Sequence, residues 1–416
     1  MRSVLLRAYV LTVILLGIPA VSLADQEDHQ PAQHHHESNP PAAAAGWSWT
    51  SSANIIFGYN YQSRKYADFS AWESQNWFML TSQRATEQGR LTFQTMLSLE
   101  PFTIHAQGSP QLYQTGESYQ QVPLVNYQHP HDLLMELGAT YRLQFPAVAY
   151  VFGADLVGSP TLGPTPFMHR ESAEHNPQVP LTHHSLDSTH ITWGVVRFGV
   201  DTGRLTLEAS AFRGEEPDEN RLNIEAPRLN SWAARIGWRQ GPWQAQFSGG
   251  WLHEPEWFEP YDTTRLTASV AYDGAIRSRA LHATLAWGQN RYANGFNDRD
   301  NGYLLEWDFR TSPTTSLYGR AEFMTKQILG LGFHPRGFGH PHFYSHIDAL
   351  TLGYIKDLPM GPIARAMRGP IGVGADISAY RTSPELTDLY EGSRSFHVFL
   401  RWRPTSGSGG GHVHVH

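Results

Sequence analysis

Apolar and polar residues alternate with a period of two along most of this chain, in segments of about ten residues, the pattern of transmembrane β-strands. Residues 263–273 place Leu266, Ala268, Val270 and Tyr272 on one face and Arg265, Thr267 and Ser269 on the other. Residues 300–311 set Tyr303, Leu305, Trp307 and Phe309 against Glu306, Asp308 and Arg310. In 315–326, Leu317, Ala321 and Phe323 oppose Arg320, Glu322 and Lys326; near the C-terminus, Phe396, Val398, Leu400 and Trp402 oppose His397, Phe399, Arg401 and Arg403. Sixteen segments follow this rule, near 53–61, 75–86, 90–100, 131–143, 147–158, 189–200, 204–213, 229–239, 243–253, 263–273, 278–289, 300–311, 315–326, 346–357, 369–380 and 393–403.

A soluble β-sandwich alternates too, but with its apolar face buried against a second sheet. The connections separate the two cases. Long gaps (62–74, 101–130, 159–188, 214–228, 254–262, 290–299, 327–345, 381–392) alternate with short ones such as Glu87-Gln88-Gly89 and Gln240-Gly241-Pro242. Only 358–368 breaks the alternation. The expected fold is all-β: an antiparallel up-and-down transmembrane barrel of about sixteen strands (14–18), with short periplasmic turns and long extracellular loops. Tyr141 and the tryptophans Trp77, Trp193, Trp238, Trp243, Trp251, Trp287 and Trp402 lie toward strand ends, as interfacial girdle residues do.

A charge facing lipid near the midplane costs about 2–4 kcal/mol, so the charged faces must turn to the lumen. Glu136, Arg235, Arg265, Glu306, Asp308, Arg310, Arg320, Glu322, Asp376 and Arg401 are therefore expected to line a pore. A lumen this polar within about sixteen strands is expected to hold water, unless arginine–carboxylate pairs and a loop plug it.

Composition refines this picture. Residues 1–24 read as a signal peptide: Arg2 and Arg7, an apolar run, then Ser22-Leu23-Ala24. Residues 25–46 form a His/Pro/Ala-rich tail with too few large apolar side chains to bury a core, so disorder is expected. The barrel should span 47–405, and 406–416 is a Gly/Ser/His-rich tail. An even strand count places both termini in the periplasm of a Gram-negative bacterium, with the barrel in its outer membrane. The absence of cysteine excludes disulfides and thiolate chemistry. A net charge of −7 without a basic stripe argues against nucleic acid as partner. The expected partners are outer-membrane lipid, the barrel-assembly machinery during insertion, and metal ions or small polar solutes; a homotrimer is permitted.

Candidate chemistry concentrates in histidine, of which there are 22 against three lysines. His129 and His131 beside Asp132 end the second long gap. His169, His175, His183, His184 and His190, with Asp187, occupy the third; His334, His340, His342 and His346 the seventh. Neutral imidazole with nearby carboxylate suits copper or zinc, so these residues are candidate ligands, with no other cofactor expected. The third gap carries Pro160, Pro164, Pro166, Pro177 and Pro180, which favour a fixed path, and is expected to fold inward. His184, Ser185 and Asp187 are close in sequence but form no nucleophile elbow, so no enzyme activity is expected.

Three stretches, "QHPHDLLMELGATY" (128–141), "FMHRESAEHNPQVPLTHHSLDSTHIT" (167–192) and "EEPDENR" (215–221), resemble a group of poorly characterised Gram-negative outer-membrane barrels, porin-like and associated with envelope heavy-metal handling. The resemblance covers roughly 100–221 and brings no catalytic residues. It favours a channel or receptor whose loops bind or pass copper or zinc. A general diffusion porin for small polar solutes and a plugged barrel acting as a surface binding protein are the alternatives.

Overall fold

The computed structural model describes residues 46–116, 118–257, 260–328, 344–359 and 369–406. The predicted segments form one closed antiparallel barrel of sixteen strands. They are β1 (Ser48–Arg64), β2 (Ala67–Thr86), β3 (Gly89–Leu97), β4 (Leu134–Gln144), β5 (Ala149–Gly158), β6 (Thr192–Asp201), β7 (Leu205–Phe212) and β8 (Ser231–Gln240). The circuit continues through β9 (Trp243–Leu252), β10 (Thr263–Ile276), β11 (Arg279–Tyr292), β12 (Arg299–Ser312), β13 (Thr315–Gln327), β14 (Tyr344–Asp357), β15 (Ile371–Thr382) and β16 (Arg394–Trp402). Each pairs with its successor, and β16 pairs with β1 from Ile55–Trp402 to Ser63–Arg394, which closes the sheet and leaves no edge.

The side-chain period sets the two faces. Phe57, Trp72, Phe152, Phe198, Leu207, Ile236, Phe247, Leu285, Leu352, Ile377 and Val398 stand exposed on the outer surface. Their inward neighbours are polar and buried, among them Arg265, Thr267, Glu306, Arg320, Asp376 and Arg401. A register slip of one residue would exchange these sets, so the pattern fixes the register strongly.

Two expectations need correction. The gap 62–74 is not a loop: β1 and β2 run 17 and 20 residues and turn at Lys65-Tyr66. Its polar residues belong to strands, where Asn60 and Gln62 are buried and Asn60 donates to Glu73 (2.9 Å). Trp77 and Trp193 are not girdle residues; both are buried inside with Met96, Met135, Val157 and Ile191. Trp238 and Trp243 are exposed beside the turn at Gly241, as a girdle requires. The irregular connection after Asp357 falls largely outside the described residues, as do the signal segment, most of the first tail and most of the second.

Candidate functional site

The third long connection, residues 159–191, turns into the barrel and packs against its inner wall. Its anchor is Arg170, whose Nε donates to Glu306 Oε2 on β12 (2.7 Å) and whose Nη1 donates to Asp187 Oδ2 (2.5 Å). Glu306 is shared, because Arg320 Nε on β13 donates to its other oxygen (2.7 Å) while Arg320 Nη1 donates to the Gln178 carbonyl (2.7 Å). Burial pushes the Asp187 carboxyl upward, but Arg170 and His183 outweigh it and hold the group well below the usual carboxylate range. Arg170 is raised in turn by Glu306 and Asp187 against its own desolvation.

Further contacts fasten the rest of this plug. Thr182 donates twice to Glu322 Oε1, through its backbone N and its Oγ1 (2.9 Å each). Arg265 on β10 donates to Ser188 (2.9 Å), and the Ser172 and Thr284 hydroxyls lie 2.8 Å apart. The helical turn His183–Leu186 sits on a flat seat made by Gly288 and Gly302, which face each other across β11 and β12. A Cβ on Gly288 would lie 2.0 Å from the Ser185 carbonyl oxygen, and one on Gly302 2.4 Å from Ser185 Oγ. Only glycine permits that approach. At the far wall, Arg401 Nη1 donates to His175 Nδ1 (2.8 Å), and burial followed by Arg401 and Arg310 keeps His175 well below its ordinary pKa.

The second connection, 98–133, closes the same end of the barrel over β1 and β2. Asn60 donates to the Pro110 carbonyl (2.7 Å), Tyr113 stacks on Tyr390 (4.5 Å), and Gln111 donates to the Val179 carbonyl of the plug (2.6 Å). Glu100 accepts from both the backbone N (2.9 Å) and Nδ1 (2.8 Å) of His131. Burial would raise Glu100, but His131 draws it below the usual range.

The pore-lining set therefore divides. Glu136, Arg235, Arg265, Glu306, Asp308, Arg320, Glu322, Asp376 and Arg401 all face inward, and Arg310 lies exposed near a turn. Several of those on β10–β16 are covered by the plug, contrary to a lumen filled by water: side-chain exposure is 1% for Glu306, 2% for Arg320 and 3% for Arg401. On the opposite wall the charged residues keep contact with solvent, at 29% for Arg142, 18% for Arg197 and 17% for Arg235. These are paired to Asp201, Asp155 and Glu208 respectively.

The candidate metal residues divide as well. His131, His183 and His190 meet around Phe167, with ring centroids 5.4 Å apart for His131–His190 and 5.1 Å for His183–His190. His183 Nδ1 donates to Asp187 Oδ1 (2.8 Å), and Asp187 also accepts from the Phe167 backbone (2.9 Å). His169 packs on Trp77 (5.0 Å), His184 points toward Glu256 (3.5 Å), and Asp132 pairs with Arg221 (3.2 Å). His129 and His131 take separate partners: His129 Nδ1 meets the Pro130 carbonyl (2.8 Å) and His131 turns to Glu100. His346 is an exposed residue of β14 rather than of a loop, while His334, His340 and His342 lie outside the described residues. Among the described residues, no three His, Asp or Glu side chains stand in an arrangement that would hold a metal ion.

Sequence reasoning missed the Gly288/Gly302 seat and a cavity between plug and wall lined by four methionines, Met79, Met96, Met135 and Met168. The hairpin register, which places Met79 opposite Met96, was the available signal for the latter.

No family model and no curated protein matches the sequence. The association with heavy-metal handling thus gains no support from them. Solved structures do match. An anion-selective porin from Comamonas acidovorans superposes with a TM-score of 0.51 at 11% identity, over 87% of this chain and 100% of that one. OmpT, an outer membrane protein of Vibrio cholerae, gives 0.50 at 9% identity, over 87% and 99%. At such identities the likeness shows the fold: this chain has the barrel of outer-membrane porins.

Proposed function

We propose that the protein is an outer-membrane channel of the porin type, passing small polar solutes along the β4–β8 side of a lumen partly filled by the third connection. The observation that carries this reading is the division of the inner wall. Glu306, Arg320 and Arg401 on β12, β13 and β16 are sealed beneath the plug, whereas Arg142, Arg197 and Arg235 retain access to water. A barrel built only as a scaffold gains nothing from leaving one polar wall hydrated. With sixteen strands both chain ends lie on one side, the periplasmic side in this reading, and the plug enters from outside.

Planar-bilayer recording of the purified protein tests the proposal. Small discrete steps are expected for the wild type, and several-fold larger ones after residues 164–187 are replaced by a short glycine/serine linker. Absence of steps from both proteins would contradict a channel.

One observation favours a second reading, in which the histidine-rich connections bind copper or zinc: the His131, His183 and His190 rings are in contact. Hydrogen bonds from Nδ1 to carboxylate are also what orient a metal-bound imidazole. His131→Ala with His183→Ala would weaken Cu(II) and Zn(II) binding if so. Unchanged affinities would leave these rings the structural role of locking Asp187 and Glu100.

A further inference from the structure

Methionine is scarce in this chain, with eight in all, yet four of the five in the described residues line one cavity of about 20 Å³. That volume suffices for a single water or ion. Four elements bring the thioethers together. Met79 on β2 and Met96 on β3 are direct cross-strand partners, both on the inner face. Met135 reaches the same face through a register shift: Met96 opposes Glu136 and Leu97 opposes Leu134, so Met135 has no partner across the ladder. In regular pleat it would point to lipid beside the inward Glu136; the bulge turns it inward instead, a known use of bulges beside functional sites. Met168 comes from the plug, packed against this cluster.

Methionine alone would be ordinary core filling. An imidazole makes the difference. His190 lines the cavity and is nine-tenths buried. Its Nδ1 lies 2.9 Å from the Asp187 carbonyl oxygen, which can only accept, so Nδ1 carries the proton and Nε2 holds the lone pair of a neutral ring. Nε2 is buried and has no hydrogen-bond partner among the described residues. A buried lone pair of this kind, with its opposite nitrogen fixed by a carbonyl, is the form of a metal-ligating histidine. Thioether and imidazole donors together select a soft ion over a hard one. Glu136 and Arg197 also line the cavity, with Arg197 paired to Asp155.

We propose that Met96, Met135, Met168 and His190, with Met79 behind them, form a binding site for a soft monovalent metal ion of the cuprous type, set between the plug and the hydrated wall. The site goes beyond the channel reading and does not depend on conduction, because binding is read on the protein itself. It also differs from the histidine-rich loop reading, since its defining donors are sulfur.

The test uses the full chain in detergent, labelled with ¹³C at the methionine methyl groups. Ag(I), a redox-inert probe of cuprous sites, and anaerobically supplied Cu(I) are titrated in turn, with Zn(II) as the borderline comparison. The methyl signals of Met79, Met96, Met135 and Met168 are expected to shift together with Ag(I) and Cu(I), with Met324 unmoved. Zn(II), which the histidine tails also attract, should leave them in place. Met135→Leu with Met168→Leu, a volume-conserving change, should weaken Ag(I) binding at the responsive methyls by more than the ~10–100-fold of an outer-shell loss. The proposal is overturned if the four methyls do not respond to Ag(I), if Zn(II) moves them equally, or if the double leucine variant binds as tightly as the wild type. Since the wild-type titration decides the question alone, a variant that fails to fold does not rescue it.

Discussion

The two walls of the lumen are made from the same alternating sequence, yet one is sealed and the other is wet. On β10–β16 the inward charges face a partner that is itself charged and shaped: Arg170 completes Glu306, Thr182 completes Glu322, and the Gly288/Gly302 seat admits a helical turn. On β4–β8 the charged side chains pair with each other, Arg197 with Asp155 and Arg235 with Glu208, and meet the plug at backbone carbonyls, Arg197 at Ser159 (3.2 Å) and Arg235 at Gly163 (3.4 Å). The difference teaches that polarity of an inward face does not by itself make a channel lining. What decides is whether a loop brings complementary groups to it. Breaking a buried ion pair by removing one partner costs about 3–5 kcal/mol, whereas exposed pairs contribute about 0–1 kcal/mol. The β10–β16 wall therefore holds the plug through buried charge, and the other wall holds it through hydroxyl, carbonyl and apolar contacts such as Thr161–Ser210 and Leu162–Phe212.

Arg170→Ala gives the largest expected break in that contrast. It takes one buried partner from each of Glu306 and Asp187, which keep Arg320 and His183, so plug docking should weaken by up to about 3–5 kcal/mol, seen as faster hydrogen exchange across 163–188 with barrel strands unchanged. The matching change on the wet wall, Arg235→Ala, whose partner Glu208 is itself part-exposed, should cost about 1 kcal/mol or less. Equal effects would erase the distinction between the walls.

Next in size is the glycine seat. Gly288→Val places atoms where the Ser185 carbonyl already lies and should cost about 1–3 kcal/mol of docking, as overpacking does, with larger conductance steps. Gly199→Ala on β6, whose added Cβ would come no nearer than 3.3 Å to Glu208 Cγ, is expected to change conductance little.

A pH dependence comes third, through His175, which faces Arg401, Arg310 and His282 as well as Asp308 and Glu174. The docked ring resists protonation, while in an undocked loop it titrates near its usual ~6.5. Below that pH the undocked state binds the extra proton. The contribution to docking is thus complete above about 6.5 and falls as the medium acidifies, by up to about 1.4 kcal/mol per pH unit. Hydrogen exchange of the plug between pH 7.5 and 5.5 measures it, and His175→Gln should flatten the profile. The smallest stability effect is expected for Arg142→Gln with Arg235→Gln, at about 1 kcal/mol or less, since Asp201 keeps Arg239 and Glu208 is part-exposed. It should nevertheless shift the reversal potential toward cation preference, where Arg320→Gln should not.

The sequence carried the barrel almost strand for strand, because the period of two is repeated wherever lipid and lumen oppose each other; the segment read at 300–311 is Arg299–Ser312. It failed at β1 and β2, where strands extend past the outward apolar band and polar residues such as Gln62 and Ser63 look like loop. Trp77 and Trp193 misled for a related reason: a tryptophan near a strand end suits either face, and here the plug supplies an apolar inner contact. Of the candidate site, the inward turn of the proline-rich connection was legible and its partners were not. Nothing in the spacing of Arg170 and Glu306, 136 positions apart, announces their contact. The bulge at Met135 is likewise set by register rather than by composition.

The most direct test of this account is where the plug sits in the membrane-embedded protein. The natural chain has no cysteine, so a single engineered pair reports cleanly. Ser172→Cys with Thr284→Cys replaces two hydroxyls 2.8 Å apart on the plug and β11. Mild oxidation should cross-link this pair nearly completely in intact outer membranes and leave conductance steps in place, while Ser172→Cys with Glu208→Cys should stay reduced. Failure of the first pair to close, or equal closure of both, would contradict a plug docked with Ser172 against β11.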